Sequence, residues 1–424
     1  MKESSTQRIF SSEFLEEIRD KFLYVDWDPY SGKRVYLEAS GGSLRLRSVL
    51  ETLAKEAAIP DELFRFNPAS DVVTRWVDKG IEDVRIFLGA KSGEIIAAHS
   101  ATETMFRAVD TITSSIPGTN IVTTELEHPA LLGATHHYAQ ATGKEWRVAK
   151  LSKETSSVPI EAILEKVDKN TCLLAFQHGS NQTGAVNEVK TIIAEARKIK
   201  PDLYVLVDAV QYAPHGQIDV EDYGADVYAF GPYKSYCVKG IGFAHISERL
   251  SKLPHENLLG KPESNWVLGS PAHMMYACWS ATVDYLCWVG SRFTESTDRR
   301  DQVVAAKDAI HAHMKALLRR AIFGSDEVEG LRQQDHVTVC GMPEDIGNRL
   351  CIFLFRLEGM SAPEAVNRYN REHGIRLAAR IRDAYSTVPL KALGWSDAVR
   401  LSACHYNTPE EIDLFLKATQ ALAP

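Results

Sequence analysis

VDAVQYAPHG, residues 207–216, continues an apolar run, YVLVD (204–208), that reads as a strand and ends on a carboxylate. A run apolar at every position is the pattern of a strand buried on both faces, as in a parallel sheet. Asp208 at its end then carries charge into the interior, where a lone carboxylate is unfavourable unless a cation or a set of donors meets it. A cation belongs beside it, and the remaining chain must supply one or hold one.

Working outward, short apolar runs alternate with helical stretches between about residues 60 and 270. The strand candidates are EIIAAH (94–99), NIVTTE (120–125), EWRVAK (145–150), CLLAFQH (172–178), YVLVDA (204–209), DVYAFG (226–231) and GIGFAHIS (240–247). Between them lie segments such as PIEAILEKV (159–167) and VKTIIAEARKI (189–199), apolar at three- and four-residue steps. The pattern predicts an α/β fold with a mostly parallel seven-stranded sheet covered by helices on both faces. Ligands of such sheets bind at the carboxyl ends of the strands, so the residues just after each strand carry the functional information.

The totals set the frame. At 424 residues, 45% hydrophobic and 25% charged, the chain is of ordinary globular composition and long enough for two domains. The division expected is an N-terminal segment (1–59) contributing to a small domain, a large domain (60–290) and a small C-terminal domain (291–424). A net charge of −8 without a lysine or arginine block argues against nucleic-acid or membrane-surface partners. MMYACWSATVDYLCWVG (274–290) is interrupted by Asp284 and reads as a buried helix, not a membrane span. Residues 1–14 lack the apolar centre of a secretory signal. The 7 cysteines include no C-x-x-C pair, which suits a reduced, cytoplasmic chain with no metal site and no disulfide framework.

The residues after the strands are polar in a specific order. Ser100-Ala101-Thr102-Glu103 opens a helix; Glu127-His128 follows the second strand; Gly179-Ser180-Asn181-Gln182-Thr183-Gly184 follows CLLAFQH; Gln211 follows Asp208; Tyr233-Lys234 follows DVYAFG. Taken singly these are a helix cap, a loop histidine, turn residues and a surface lysine. Taken together they match the needs of pyridoxal phosphate. Lys234 would form the Schiff base, and Asp208 would keep the pyridine nitrogen protonated. The helix N-terminus at Ala101 and Thr102 would hold the phosphate. His128 would lie on the ring, and Asn181 and Gln211 would reach its phenolic oxygen. The cation that Asp208 requires is then the pyridinium.

With these residues the chain resembles the class V aminotransferase superfamily of fold type I enzymes, which includes the cysteine desulfurases. VDAVQYAPHGQIDVEDYGADVYAFGPYKSY (207–236) is similar to its Asp-x-x-Gln, downstream His and lysine signature, SATE to its phosphate loop, and EHPA to its ring-stacking histidine. YLEASGGSLR (36–45) and the Tyr-Lys at 233–234 resemble the cysteine desulfurase-like branch, where Tyr233 would serve the phosphate. The resemblance implies a homodimer with shared active sites, Ser270 of WVLGSPAH (266–273) reaching the neighbour's cofactor. Arg400 of VRLSACHYNTPEEIDLF (399–415) would clamp the carboxylate of an amino-acid substrate, with Arg380 touching it. Lys234, His128 and Asp208 would be the catalytic residues.

Two departures shape the reading. The loop that carries the persulfide cysteine in desulfurases corresponds to GIRLAARIRDAYSTVPL (374–390), which has no cysteine; Ala384 or Tyr385 stands nearest its place. Cys237 lies close after the lysine and reads as a small buried filler or a reactive thiol, and Lys239 is a rival for the Schiff base. Arg376, Arg380 and Arg382 crowd the loop and suggest a second anionic group on the substrate. The leading expectation is a lyase that cleaves C–S or another β or γ bond without a persulfide cysteine. An aminotransferase is the alternative, followed by an epimerase and a non-catalytic binding module.

Overall fold

The computed structural model describes residues 10–341, 346–347 and 349–424. Of the segment read for a secretory signal, residues 1–9 lie outside the described ones. The seven strand candidates are β1 (Glu94–Ala98), β2 (Asn120–Thr124), β3 (Glu145–Ala149), β4 (Thr171–Gln177), β5 (Tyr204–Asp208), β6 (Val227–Phe230) and β7 (Gly242–Ile246). They form one sheet in the order β1-β7-β6-β5-β4-β2-β3. All neighbours run parallel except β7, which is antiparallel to both β1 and β6.

That single reversal has a consequence for the site. The carboxyl ends of β1, β2, β4, β5 and β6 share one edge, and the amino end of β7 meets them there.

Every residue of the central strands is buried, and successive side chains turn to opposite faces, as a sheet covered on both sides requires. Helix α1 (Pro68–Leu88) precedes the sheet; Leu173, Ala175 and Leu206 face one core with helices α2 (Ala101–Ser115) and α3 (Pro129–Ala141). Leu174, Phe176, Val205 and Val207 face the other, with α1, α4 (Val189–Ile199) and α5 (His273–Gly290). Helix α5 holds the apolar stretch 274–290 and is buried along most of its length. Among the described residues no helix is long and apolar enough to cross a membrane.

The C-terminal part builds a second sheet after helix α6 (Arg299–Phe323): β8 (Val337–Val339), β9 (Ile352–Leu357), β10 (Ala378–Ile381) and β11 (Asp397–Ser402), in the order β8-β9-β11-β10. Every pair in it is antiparallel. Helices α7 (Ala362–His373) and α8 (Pro409–Ala421) cover it, α8 beginning with a capping box between Thr408 and Glu411. The N-terminal segment is tied to this part of the chain: Val35–Tyr36 pairs in parallel with Ile375–Arg376 as a separate two-stranded sheet, and Glu38 bridges Ser402 of β11.

A close backbone approach lies at the functional edge. A β-carbon on Gly242, at the start of β7, would stand 1.9 Å from the backbone nitrogen of Ala101 at the start of α2. Only glycine lets strand and helix N-terminus meet there. Gly242→Ala is therefore expected to lower unfolding stability by about 3 kcal/mol or more, the upper range for overpacking, measured by urea titration of the cofactor-free protein.

Candidate active site

The edge where the strand ends converge encloses a cavity of about 330 Å3. Of the residues singled out in the sequence, Ala101, Thr102, His128, Asn181, Asp208, Gln211, Tyr233 and Lys234 line it. Five loops thus deliver their side chains to one space. Tertiary structure unites them, since nothing local to any one loop would.

Asp208 ends β5 and is 4% exposed. Its Oδ1 accepts the backbone N–H of Val210 at 2.9 Å. Burial raises its pKa above the ordinary carboxylate value, opposed by that hydrogen bond and by Lys234. Lys234 sits on a single turn, Pro232–Lys234, following β6, the strand next to β5. Burial, with Arg400 adding to it, pushes the Lys234 amine down to about 7. Its Nζ donates to Gln211 Oε1 at 2.8 Å. The same oxygen accepts from Ser40 Oγ at 3.0 Å, so Gln211 is held from two sides. Gln211 Nε2 lies 3.3 Å from His215 Nε2, a buried imidazole kept neutral by burial.

His128 caps α3: its Nδ1 accepts the N–H of Ala130 at 3.1 Å. Burial and the nearby charges of Lys234, Arg380 and Arg400 lower its pKa to about 4. A neutral, flat imidazole is thus presented to the cavity. Glu127 beside it is buried, accepts Thr124 Oγ1 at 2.6 Å, and is raised well above the usual range by burial, with Asp208 adding to it. At the other end of the cavity, Ser100 caps α2 by accepting the N–H of Glu103 at 3.2 Å. The first N–H groups of α2 have no partner within the helix and point to an anion.

Arg400 lies on β11, 3% exposed. Its Nη1 donates to Asn181 O at 2.9 Å, and its Nε is buried without a hydrogen-bond partner. Burial, joined by Arg380, lowers its pKa to about 10. A buried guanidinium with an unfilled edge is a docking point for a carboxylate.

Arg380 instead bonds Ser386, Nε to Oγ at 2.8 Å, and thereby holds the loop carrying Tyr385. The Tyr385 ring is 56% exposed and stands 5.9 Å from that of His128.

The expected cluster of three arginines does not form. Arg376 Nη2 turns to Ser31 Oγ at 2.7 Å, and Arg382 turns to the carbonyl of Trp395. Arg376 lies on a separate short strand, Ile375–Arg376, paired with Val35–Tyr36, and Arg382 lies beyond the end of β10, so neither shares a strand with Arg380. Ser270 is exposed on the loop before α5 and does not line this chain's cavity. Cys237 is fully buried with its thiol raised to about 11, so it serves as filler. Lys239 lines the cavity rim but is exposed, unlike Lys234. Glu38 and Ser40, from the N-terminal segment, were absent from the expected site. A polar pair within YLEASGG was the one available signal.

The class-V aminotransferase family model matches residues 35–272. The chain belongs to this family. The Aminotransferase-like protein FGM3 of Gibberella zeae is 28% identical over 97% of this chain and 98% of its own. A probable cysteine desulfurase 2 of Mycobacterium leprae is 26% identical over 79% of this chain and 78% of its own. A cysteine desulfurase from Thermococcus onnurineus superposes with a TM-score of 0.81 at 21% identity, covering 96% of this chain and 98% of that one. The class-V aminotransferase described here is an enzyme with pyridoxal phosphate as cofactor.

The donor set fits that cofactor. Asp208, a buried carboxylate, would hold the ring nitrogen, Lys234, a desolvated amine, would hold the carbonyl carbon, and the N-terminus of α2 at Ala101 and Thr102 would hold the phosphate.

The depressed Lys234 also sets a pH dependence. Between about 7 and 10.5 the unfolded chain holds a proton on this lysine that the folded chain has lost, so its contribution to stability rises with pH across that window. Cofactor-free wild type should be least stable relative to Lys234→Met below pH 7 and recover as the pH is raised to 10.5, followed by urea titration. A gap that stays constant with pH would mean that the amine is protonated in the fold.

Proposed function

We propose that this enzyme is a lyase that cleaves a C–S or comparable β or γ bond of an amino acid, and that it does so without passing sulfur through a cysteine of its own. The observation that carries this reading is the state of the thiols. All 7 cysteines are buried and none lines the cavity. Burial raises the thiol pKa of Cys172, Cys237 and Cys340 to about 11, and of Cys278, Cys351 and Cys404 to about 12. Thiolates form the nucleophile in persulfide chemistry, so these groups are inert. Tyr385 occupies the exposed position on the loop facing His128.

The residues divide the work as follows. Arg400 takes the substrate carboxylate on its open edge, which fixes the orientation of the Cα bonds. Lys234, whose amine burial lowers to about 7, removes the proton from Cα in its unprotonated form. Pyridoxal phosphate supplies the electron sink for the carbanion, and Asp208 keeps its ring nitrogen protonated. His128 covers the ring as a neutral imidazole. Loss of the substituent from the side chain then leaves an enamine that hydrolyses to an oxo acid and ammonia.

Transamination is the second reading, supported by the likeness to the aminotransferase-like protein of Gibberella zeae. We also propose two copies per enzyme, each Ser270 serving its neighbour's cofactor, which its exposed position supports, and work in a reducing compartment, which suits the unpaired cysteines.

The test is a panel of amino acids added to the loaded enzyme, including cysteine, its sulfinate, aspartate and alanine. A lyase releases oxo acid, ammonia and a sulfur species catalytically. An aminotransferase converts the cofactor to a stable amine form that an oxo acid reverses. Iodoacetamide on the native protein is expected to modify no cysteine and to leave sulfur release intact; inactivation on alkylation would sink the persulfide-free reading. Arg400→Ala should raise the Michaelis constant by about 100-fold, as expected for losing two hydrogen bonds to a charged group.

A further inference from the structure

Beside the cofactor cavity lies a second one of about 400 Å3, and Lys239 lines both. Its walls come from the N-terminal segment, with Tyr36, Glu38, Gly42 and Arg45 among them. The backbone here is fixed. Ala39 N donates to Ser402 O, and Ser402 N to Leu37 O, each at 2.9 Å. Glu38 is thereby held next to the strand that carries Arg400, with its Oε1 4.0 Å from Arg400 Nη2.

The Glu38 side chain is 30% exposed, and among the described residues no group donates a hydrogen bond to its carboxylate. Burial raises its pKa despite the opposing pull of Arg400, Arg376 and Arg380. Gly41 leaves room for it: a β-carbon there would stand 2.9 Å from Oε1.

The neighbouring cations are engaged elsewhere. Arg34 Nε bonds Asp28 Oδ2 at 2.8 Å and its Nη2 the carbonyl of Tyr24 at 2.8 Å. Arg45 Nη1 bonds the carbonyls of Ser43 and Tyr233 at 2.7 and 2.5 Å. The exposed Lys239 ammonium lies over the Tyr233 ring, 5.4 Å from its centroid. The acceptor left without a donor is Glu38.

We propose that Glu38 is a specificity-determining residue: it accepts a hydrogen bond from a donor on the substrate side chain, an ammonium, hydroxyl or amide N–H, and rejects side chains ending in a carboxylate. This rests on the reading of Arg400 as the carboxylate clamp. With the substrate's own carboxylate on the open edge of Arg400, Glu38 is already the second anion at that guanidinium. A further carboxylate would meet it in a partly desolvated space, where like charges repel strongly. A donor satisfies it instead.

The experiment titrates the cofactor-loaded enzyme with alanine, aspartate, glutamate, 2,4-diaminobutyrate and ornithine, reading apparent dissociation constants from the visible absorbance of the cofactor. Glu38→Gln is expected to tighten aspartate and glutamate relative to alanine by about tenfold or more and to weaken the diamino acids by a similar factor, the scale of a like-charge contact removed and an ion pair lost. Glu38→Asp, which keeps the charge, should retain the discrimination and so separates charge from folding damage. If the ratios to alanine are the same in wild type and Glu38→Gln, or if wild type prefers dicarboxylates, Glu38 does not set specificity. If no amino acid perturbs the absorbance of either protein, the clamp reading falls with it.

Discussion

Asp208 and Lys234, an acid and an amine buried at the ends of adjacent parallel strands, are the constraint around which the site is organised. Each is a poor occupant of the interior alone. Burial pulls the carboxylate up and the amine down, so both are driven toward their neutral forms. Such opposed shifts mark groups poised for proton transfer. Bound pyridoxal phosphate would resolve both at once: Asp208 would hold its ring nitrogen as the cation it lacks, and Lys234 would hold its carbonyl carbon. The fold's share is to keep the space between them dry and the neighbours neutral. His128 with its pKa near 4, His215 well below its usual value and Glu127 well above its own all serve that end. A charged imidazole in any of these places would compete with the ring for Asp208.

Most of the large sheet was legible because of what a two-faced parallel strand demands. CLLAFQH and YVLVD are apolar at successive positions, and no amphipathic helix of that length carries such a run. The strand ends then located the polar groups without further information. The reversal of β7 was not legible. GIGFAHIS has the same composition as its parallel neighbours, and direction is set by the chain's return path across the sheet. Its position, wedged between β1 and β6, is enforced by Gly242 against Ala101, a contact between segments far apart in sequence.

The arginines show the opposite failure. Arg376, Arg380 and Arg382 are near neighbours in sequence, and proximity there suggested convergence in space. Strand geometry and local acceptors disperse them: Ser31 takes one, Ser386 another, and the carbonyl of Trp395 the third. Meanwhile Ser40, remote in sequence from the strand-end motifs, donates to both Gln211 Oε1 and the carbonyl of Asn181 at 3.0 Å. The N-terminal segment enters the site because Val35–Tyr36 pairs with Ile375–Arg376 and Glu38 bridges Ser402, a partnership invisible in the residues themselves.

Once Arg380 is committed to Ser386, the cationic character of the substrate region reduces to Arg400, and one carboxylate is enough to satisfy it. The Arg400 side chain has one hydrogen bond, to Asn181 O, and an orphaned Nε. Additional anions would find Glu38 in the way and no further open guanidinium within the site. The same arrangement that leaves desulfurase-type thiol chemistry without a nucleophile therefore also narrows the substrate. On the lyase reading, bond cleavage would be driven from Cα with Lys234 as the base, and the side chain would leave toward the chamber that Glu38 and Tyr36 line. Selectivity in such a site comes from which leaving groups that chamber tolerates, since the carboxylate clamp and the proton-transfer machinery are the same for every amino acid.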